Sequence, residues 1–189
     1  MLWYPTVTAD GANYVQRAVK IEASAKSALD PHSARAVIPY VAQDLADTDL
    51  TVPNITTVDP ARTFRDKVAI LHGLRRWWDR RGELRGRGQR VSRHYYDIHR
   101  LLASETGEGF VNNSRMAAAC VQHARMFFKR PDFDLAAAAP GSYALVPHDN
   151  ILTSLEQDYN TMSQMIFGEA PTFGAIIDSI VNLEKRLNG

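Results

Sequence analysis

The sequence predicts an α+β chain: a short sheet over residues 1–58, then a mostly α-helical bundle over residues 59–189. Three observations predict it. Before Asp59 the apolar residues alternate or gather in β-branched runs, as in strands. After Asp59 they recur at helical spacing. Glycine- and proline-containing breaks then divide the second part into about five helices. With 189 residues, 45% of them apolar, the chain can bury the core of one domain or somewhat more.

In the first part, residues 15–23 (VQRAVKIEA) place Val19 and Ile21 on one strand face and Lys20 and Glu22 on the other. Residues 36–41 read as a second short strand. Residues 49–58 (DLTVPNITTV) read as a third, with Pro53 marking an edge or a break because proline has no N–H to give a ladder. Three short strands without a covering helix make a poor independent domain. Their open edge predicts self-association or a missing partner segment.

In the second part, Asp59-Pro60 is a helix start, with proline at the first helical position. Phe64, Val68, Leu71 and Trp78 form one stripe. Three glycines and two arginines in residues 82–88 break that helix. Residues 91–102 form the next, with Tyr95, Ile98, Leu101 and Leu102 in register. Asn113 caps a third through Phe128, and residues 131–147 read as a long loop. Asp149 opens a helix with Leu152, Leu155, Tyr159, Met162 and Ile166 inward. Thr172 caps the last, which buries Phe173, Ile176, Ile177, Ile180, Leu183 and Leu187.

The net charge of +1 hides strong segregation, because residues 75–93 hold eight arginines against Asp79 and Glu83. The single cysteine, Cys120, excludes an intrachain disulfide framework and fits a reducing cytoplasm. The N-terminus lacks a secretory pattern, and no run approaches the ~20 apolar residues that span a bilayer. A cytoplasmic protein without membrane contact is therefore expected.

Four stretches, AVKIEASAKSALDP, VDPARTFRDKVAILHGL, QRVSRHYYDIHRLL and LEQDYNTMSQMIFGEAPTF, resemble in content and order the AbiEii/AbiGii-type nucleotidyltransferase toxins of type IV toxin–antitoxin and phage-abortive systems. The resemblance implies a polymerase β-like sheet, of which residues 1–58 are a partial remnant, and a helical C-terminal domain. It implies nucleotide transfer from an NTP with Mg²⁺, often to the acceptor end of tRNA, and a separately encoded antitoxin. The resemblance implies that the family's Gly-Ser or Gly-Gly-Thr turn and following Asp-x-Asp pair would lie upstream of residue 1. The expectation is therefore a truncated, split or excised C-terminal portion, with an upstream half as one possible partner. Asp47-Thr48-Asp49 and Asp132-Phe133-Asp134 lack the preceding turn and read as loop residues.

Nucleotidyl transfer depends on positioning and charge neutralisation at phosphates. By resemblance, Lys67 in Thr63-Phe64-Arg65-Asp66-Lys67 is the triphosphate contact; the bland alternative is a solvated lysine paired with Asp66 or Glu83. Asp97 in Arg93-His94-Tyr95-Tyr96-Asp97 matches the family's downstream acidic residue, and by resemblance orients Lys67, acts as a base or holds a structural hydrogen bond, against a surface pair with Arg93. Glu22 is the candidate Mg²⁺ ligand, against a strand-face charge. Arg75, Arg76, Arg80, Arg81, Arg85, Arg87, Arg90 and Arg93, interleaved with Trp77 and Trp78, are the candidate RNA contacts. Two other readings stay open. One is a catalytically inactive fragment that binds RNA or antitoxin. The other is a bundle ribonuclease of HEPN type, from the shared face of Arg65 and His72.

Overall fold

The computed structural model describes residues 1–3, 18–19, 21, 25–26, 28–45, 48–88 and 90–189. It is an α+β arrangement with two small antiparallel pairs and a larger helical part. Strand β1 (Leu2–Trp3) pairs with β2 (Ala18–Val19). Lys20 and Glu22, predicted on the polar face of the strand over 15–23, lie outside the described residues.

Strand β3 (His32–Val37) pairs with β4 (Val52–Val58), His32 opposite Val58 and Val37 opposite Val52. The strand expected over 36–41 therefore begins and ends earlier. Pro39, with φ −68° and no N–H, leads into a 3-10 turn over Tyr40–Gln43 instead. Pro53 is accommodated within β4, whose pair with β3 is two-stranded and leaves an edge. Every residue of β3 is exposed, and so is every residue of β4 before Val58. The base of this pair is tied to the helical part by Asp59 N–H donating to Pro31 O at 2.9 Å and Arg62 Nη1 donating to Asp30 O at 3.2 Å.

Helix α1 (Pro60–Arg81) starts where the sequence predicts, with the Asp59 side chain accepting from Ala61 N at 2.7 Å. It stops at Gly82, whose φ of 66° is the left-handed region that glycine enters freely. Then come α2 (Ser92–Leu102), α3 (Gly107–Asn112), α4 (Ser114–Phe127), α5 (Asp149–Ser163) and α6 (Phe173–Asn188). Asn113 and Thr172 cap α4 and α6 as expected. Helix α3 was not expected: six residues are too few to display a helical period.

Among the described residues, the core lies in the helical part. Phe64, Val68 and Leu71 of α1, Ile98 of α2, Leu155 of α5, and Ile176, Ile180 and Leu183 of α6 are essentially fully buried. Each such side chain contributes roughly 1.5–3 kcal/mol of hydrophobic stabilisation. Trp78, Leu152, Ile166 and Ile177 pack on this core while only partly buried. Helix α2 lies against α1, α5 and α6, so residues on its exposed flank are held from three sides.

Candidate functional site

Lys67 and Asp97 meet. On α1, Lys67 occupies the flank beside the Phe64–Val68–Leu71 stripe; on α2, Asp97 precedes the buried Ile98. Packing of the two stripes brings Lys67 Nζ to 2.7 Å from Asp97 Oδ2, with 20% and 37% of the side chains exposed. The pairing differs from that expected for plain surface charges: Asp66 pairs with Arg62 at 3.2 Å, and Asp97 pairs across helices with Lys67 rather than with Arg93.

A third group joins them. His94, three residues before Asp97 and so on the same face of α2, accepts from Lys67 Nζ through Nδ1 at 3.2 Å. Burial, then the charges of Lys67 and Arg93, push His94 down to about 3. The ring is neutral at physiological pH, which is what lets Nδ1 accept from an ammonium. An ammonium has three donors; Asp97 and His94 take two, and no third acceptor is found among the described residues. Arg93 is exposed beside this cluster.

The start of α2 is fixed from a distant element. Val91 at its N-cap offers no side-chain cap. Asp158 of α5 supplies one instead: Oδ1 accepts from Arg90 N at 2.7 Å, and Oδ2 accepts from Ser92 N at 2.8 Å and Ser92 Oγ at 2.6 Å. A carboxylate over free N–H groups at a helix N-terminus is favourable in both hydrogen bonding and dipole. This clamp sets the register of the turn that carries His94 and Asp97.

The arginine run divides. Arg75 bonds Asp79 at 2.9 Å and the Val146 carbonyl; Arg76 reaches Asp79 and the Ser142 carbonyl, both at 3.4 Å. Burial raises the Asp79 carboxyl, but the bonds and charges of Arg75 and His148 outweigh it and the net shift is down. Arg80 pairs with Asp134 at 3.1 Å and bonds the Pro131 carbonyl. Arg81 grips Asp132 Oδ2 through Nε and Nη2, at 2.8 and 2.6 Å, and lies over Trp77. These four guanidinium groups pin the far end of α1 to residues 131–148. Trp77 tilts against Phe133 and Trp78 against His148, within the same seam. Arg85 lies over the Phe133 ring at 5.1 Å. Arg85 and Arg93 have no carboxylate partner among the described residues. Arg90 joins the Asp158 clamp through its backbone. The Arg87 side chain lies outside what is described.

A family model described as "Nucleotidyl transferase AbiEii toxin, Type IV TA system" matches residues 1–179. The chain belongs to this family. No curated protein and no solved structure matches it.

An AbiEii toxin is expected to gather metal ligands beside its cation. The described residues hold no group of three His, Cys, Asp or Glu side chains able to bind a metal ion, and Glu22 lies outside them. Asp97 already gives Oδ2 to Lys67. The described residues alone therefore do not make up a magnesium site. Asp132 and Asp134 are engaged by Arg81 and Arg80, as loop residues rather than metal ligands, and Asp49 accepts from Thr51 N at 2.8 Å. Membership in a type IV system implies an antitoxin partner. No helix among the described residues is long and apolar enough to cross a membrane.

The Arg65–His72 pair of the ribonuclease reading is buried. His72 is fully enclosed, its Nε2 bonded to Asp134 O and its Nδ1 accepting from Ala144 N, both at 3.2 Å. Burial lowers its pKa and leaves it neutral. Arg65 donates to Val111 O from the interior. Both act as core staples that substrate does not reach.

Proposed function

We propose that this chain takes part in transferring nucleotides from an NTP to RNA, with the acceptor end of tRNA as the target. Lys67 contacts the triphosphate and Asp97 holds Lys67 in place. The observation that carries the reading is the Lys67 ammonium, anchored at 2.7 Å by Asp97 and at 3.2 Å by neutral His94, largely shielded and with no third acceptor among the described residues. A shielded, preoriented cation neutralises phosphate charge far better than a mobile surface lysine, because its electrostatic field is less screened and it needs no reorganisation when the ligand arrives. Asp97, partly exposed and bridged to Lys67 through Oδ2, is the candidate base for an attacking hydroxyl. Arg93 adds a second cation next to the pair.

The test is incubation of the full chain with tRNA, Mg²⁺ and each labelled NTP in turn. Label should enter tRNA and be lost in Lys67→Ala and Asp97→Ala while the fold is retained. Transfer unaffected by both substitutions contradicts the reading. Binding of RNA or antitoxin with no label transferred by the wild-type chain supports instead a purely binding role.

A further inference from the structure

A second group of cations lies away from the arginine run. At the end of α4 and in the turn after it, Arg125, Lys129 and Arg130 are exposed, and none of them forms an ion pair among the described residues. They line an open cleft of about 350 Å³ together with Asp134 and Leu135; Arg125 and Lys129 also border a hollow of about 280 Å³ beside Met126. The nearby carboxylates are already committed, Asp134 to Arg80 at 3.1 Å and Asp132 to Arg81 at 2.6 Å. Arg85 lies over Phe133 in the same turn, and its pKa is lowered by burial and then by the charge of Arg130. Arg85 and Arg130 are thus held near one another, and the one carboxylate lining the cleft, Asp134, is already paired with Arg80.

Exposed rings adjoin these cations. Phe127 and Phe128 are 40% and 49% exposed, and His123 lies 4.8 Å from Phe127 and 6.4 Å from Phe128 between ring centroids. Apolar rings left in solvent beside unpaired cations offer base stacking and phosphate neutralisation together. An acidic protein surface would use the cations but has less use for the rings.

We propose that the end of α4, with Arg125, Lys129 and Arg130 lining the cleft, Arg85 over the neighbouring Phe133, and Phe127 and Phe128 exposed just before Lys129 in the chain, binds a single-stranded stretch of RNA by its backbone and bases. The inference rests on the reading that the chain acts on RNA, and it gives that RNA a place distinct from Lys67. It also shifts the RNA interface away from Arg75, Arg76, Arg80 and Arg81, each of which already bonds a carbonyl or carboxylate of the chain.

The experiment is fluorescence anisotropy of a short labelled oligouridylate with the full chain, titrated at several salt concentrations and without NTP. Omitting NTP separates this test from transfer, so a failure of Lys67 chemistry leaves it intact. Removing a cation that neutralises one phosphate should reduce the salt-dependence slope by about 0.7, so Arg125→Ala/Lys129→Ala/Arg130→Ala should flatten it by about two. Phe128→Ala should weaken binding about ten-fold with the slope unchanged. Arg100→Ala, on exposed α2 surface, should alter neither. Lys129→Gln alone supplies the slope change if the triple variant misfolds. An unchanged slope, no binding by the wild-type chain at low salt, or capture of an acidic protein by this patch with RNA binding unaffected overturns the proposal.

Discussion

The two halves of α1 carry cations to opposite ends. In the first half a single ammonium, Lys67, is held by a carboxylate and an imidazole from α2 and keeps a donor in reserve. In the second half four guanidinium groups spend their donors on Asp79, Asp132 and Asp134 and on the carbonyls of Ser142, Val146 and Pro131. The denser half is therefore the one with less charge to offer a ligand. Guanidinium is planar and multidentate, well suited to stapling a helix to an irregular loop with many carbonyls; ammonium is a compact point charge suited to a phosphate. Density of charge in a sequence and availability of charge on a surface are separate quantities.

Substitutions in the first half should abolish function without unfolding the chain. Lys67→Ala should lower nucleotide transfer about a hundred-fold or more, the scale of removing one preorganised electrostatic donor, with melting temperature nearly unchanged. Lys67→Arg should not restore it, since a planar fork cannot occupy the position between Asp97 Oδ2 and His94 Nδ1 that an ammonium does. Equal activity of the arginine variant would erase the contrast between the halves.

Acid should act on the first half as well. The folded pKa of His94 lies near 3, below its ordinary 6.5, so the unfolded chain takes up a proton that the folded chain refuses. The contribution to stability is complete above about pH 6.5 and is lost as pH falls toward 3, amounting to about 2 kcal/mol by pH 5. His72 is shifted in the same direction by burial and adds to the loss. Urea denaturation at a series of pH values checks this: His94→Gln should make the dependence shallower, and an identical slope would show that His94 titrates normally.

Asp158→Ala should cost about 2 kcal/mol, because it strands two backbone N–H groups and the buried Ser92 hydroxyl at the start of α2. Hydrogen exchange should speed at residues 90–94 before it does elsewhere in α2. Protection unchanged at that turn would mean another group caps it.

The second half should respond only in stability, and weakly. Arg80→Ala and Arg81→Ala remove partly solvent-screened pairs, so each should cost about 1 kcal/mol or less, a fall of about 2–4 °C in melting temperature. RNA affinity measured alongside should not change. A large affinity loss would return these arginines to the RNA interface.

Helix starts were legible in the sequence because their signals are local: Asp59 before Pro60, Asn113 before α4, Thr172 before α6. The apolar stripes of α1, α5 and α6 were legible for the same reason. Helix α3 is too short to show a period, and β3 is displaced because Pro39 closes it sooner than the β-branched pattern suggests. At the site, resemblance selected Lys67 and Asp97 as a pair. His94 was missed although its spacing of three from Asp97 put it on the same helix face. Asp158 could not be found locally, since it lies 66 residues from Ser92. The fate of the arginines was equally hidden, because their partners are carbonyls and carboxylates 51 to 71 residues away.

The most direct measurement is calorimetric titration of the full chain with a non-hydrolysable NTP analogue, in wild type and Lys67→Ala. If the unspent donor of Lys67 meets the triphosphate, the wild-type chain binds and Lys67→Ala binds about ten-fold more weakly, with its melting temperature unchanged. Equal affinity in the two proteins would mean that the bridge between α1 and α2 is structural and that the nucleotide is gripped elsewhere.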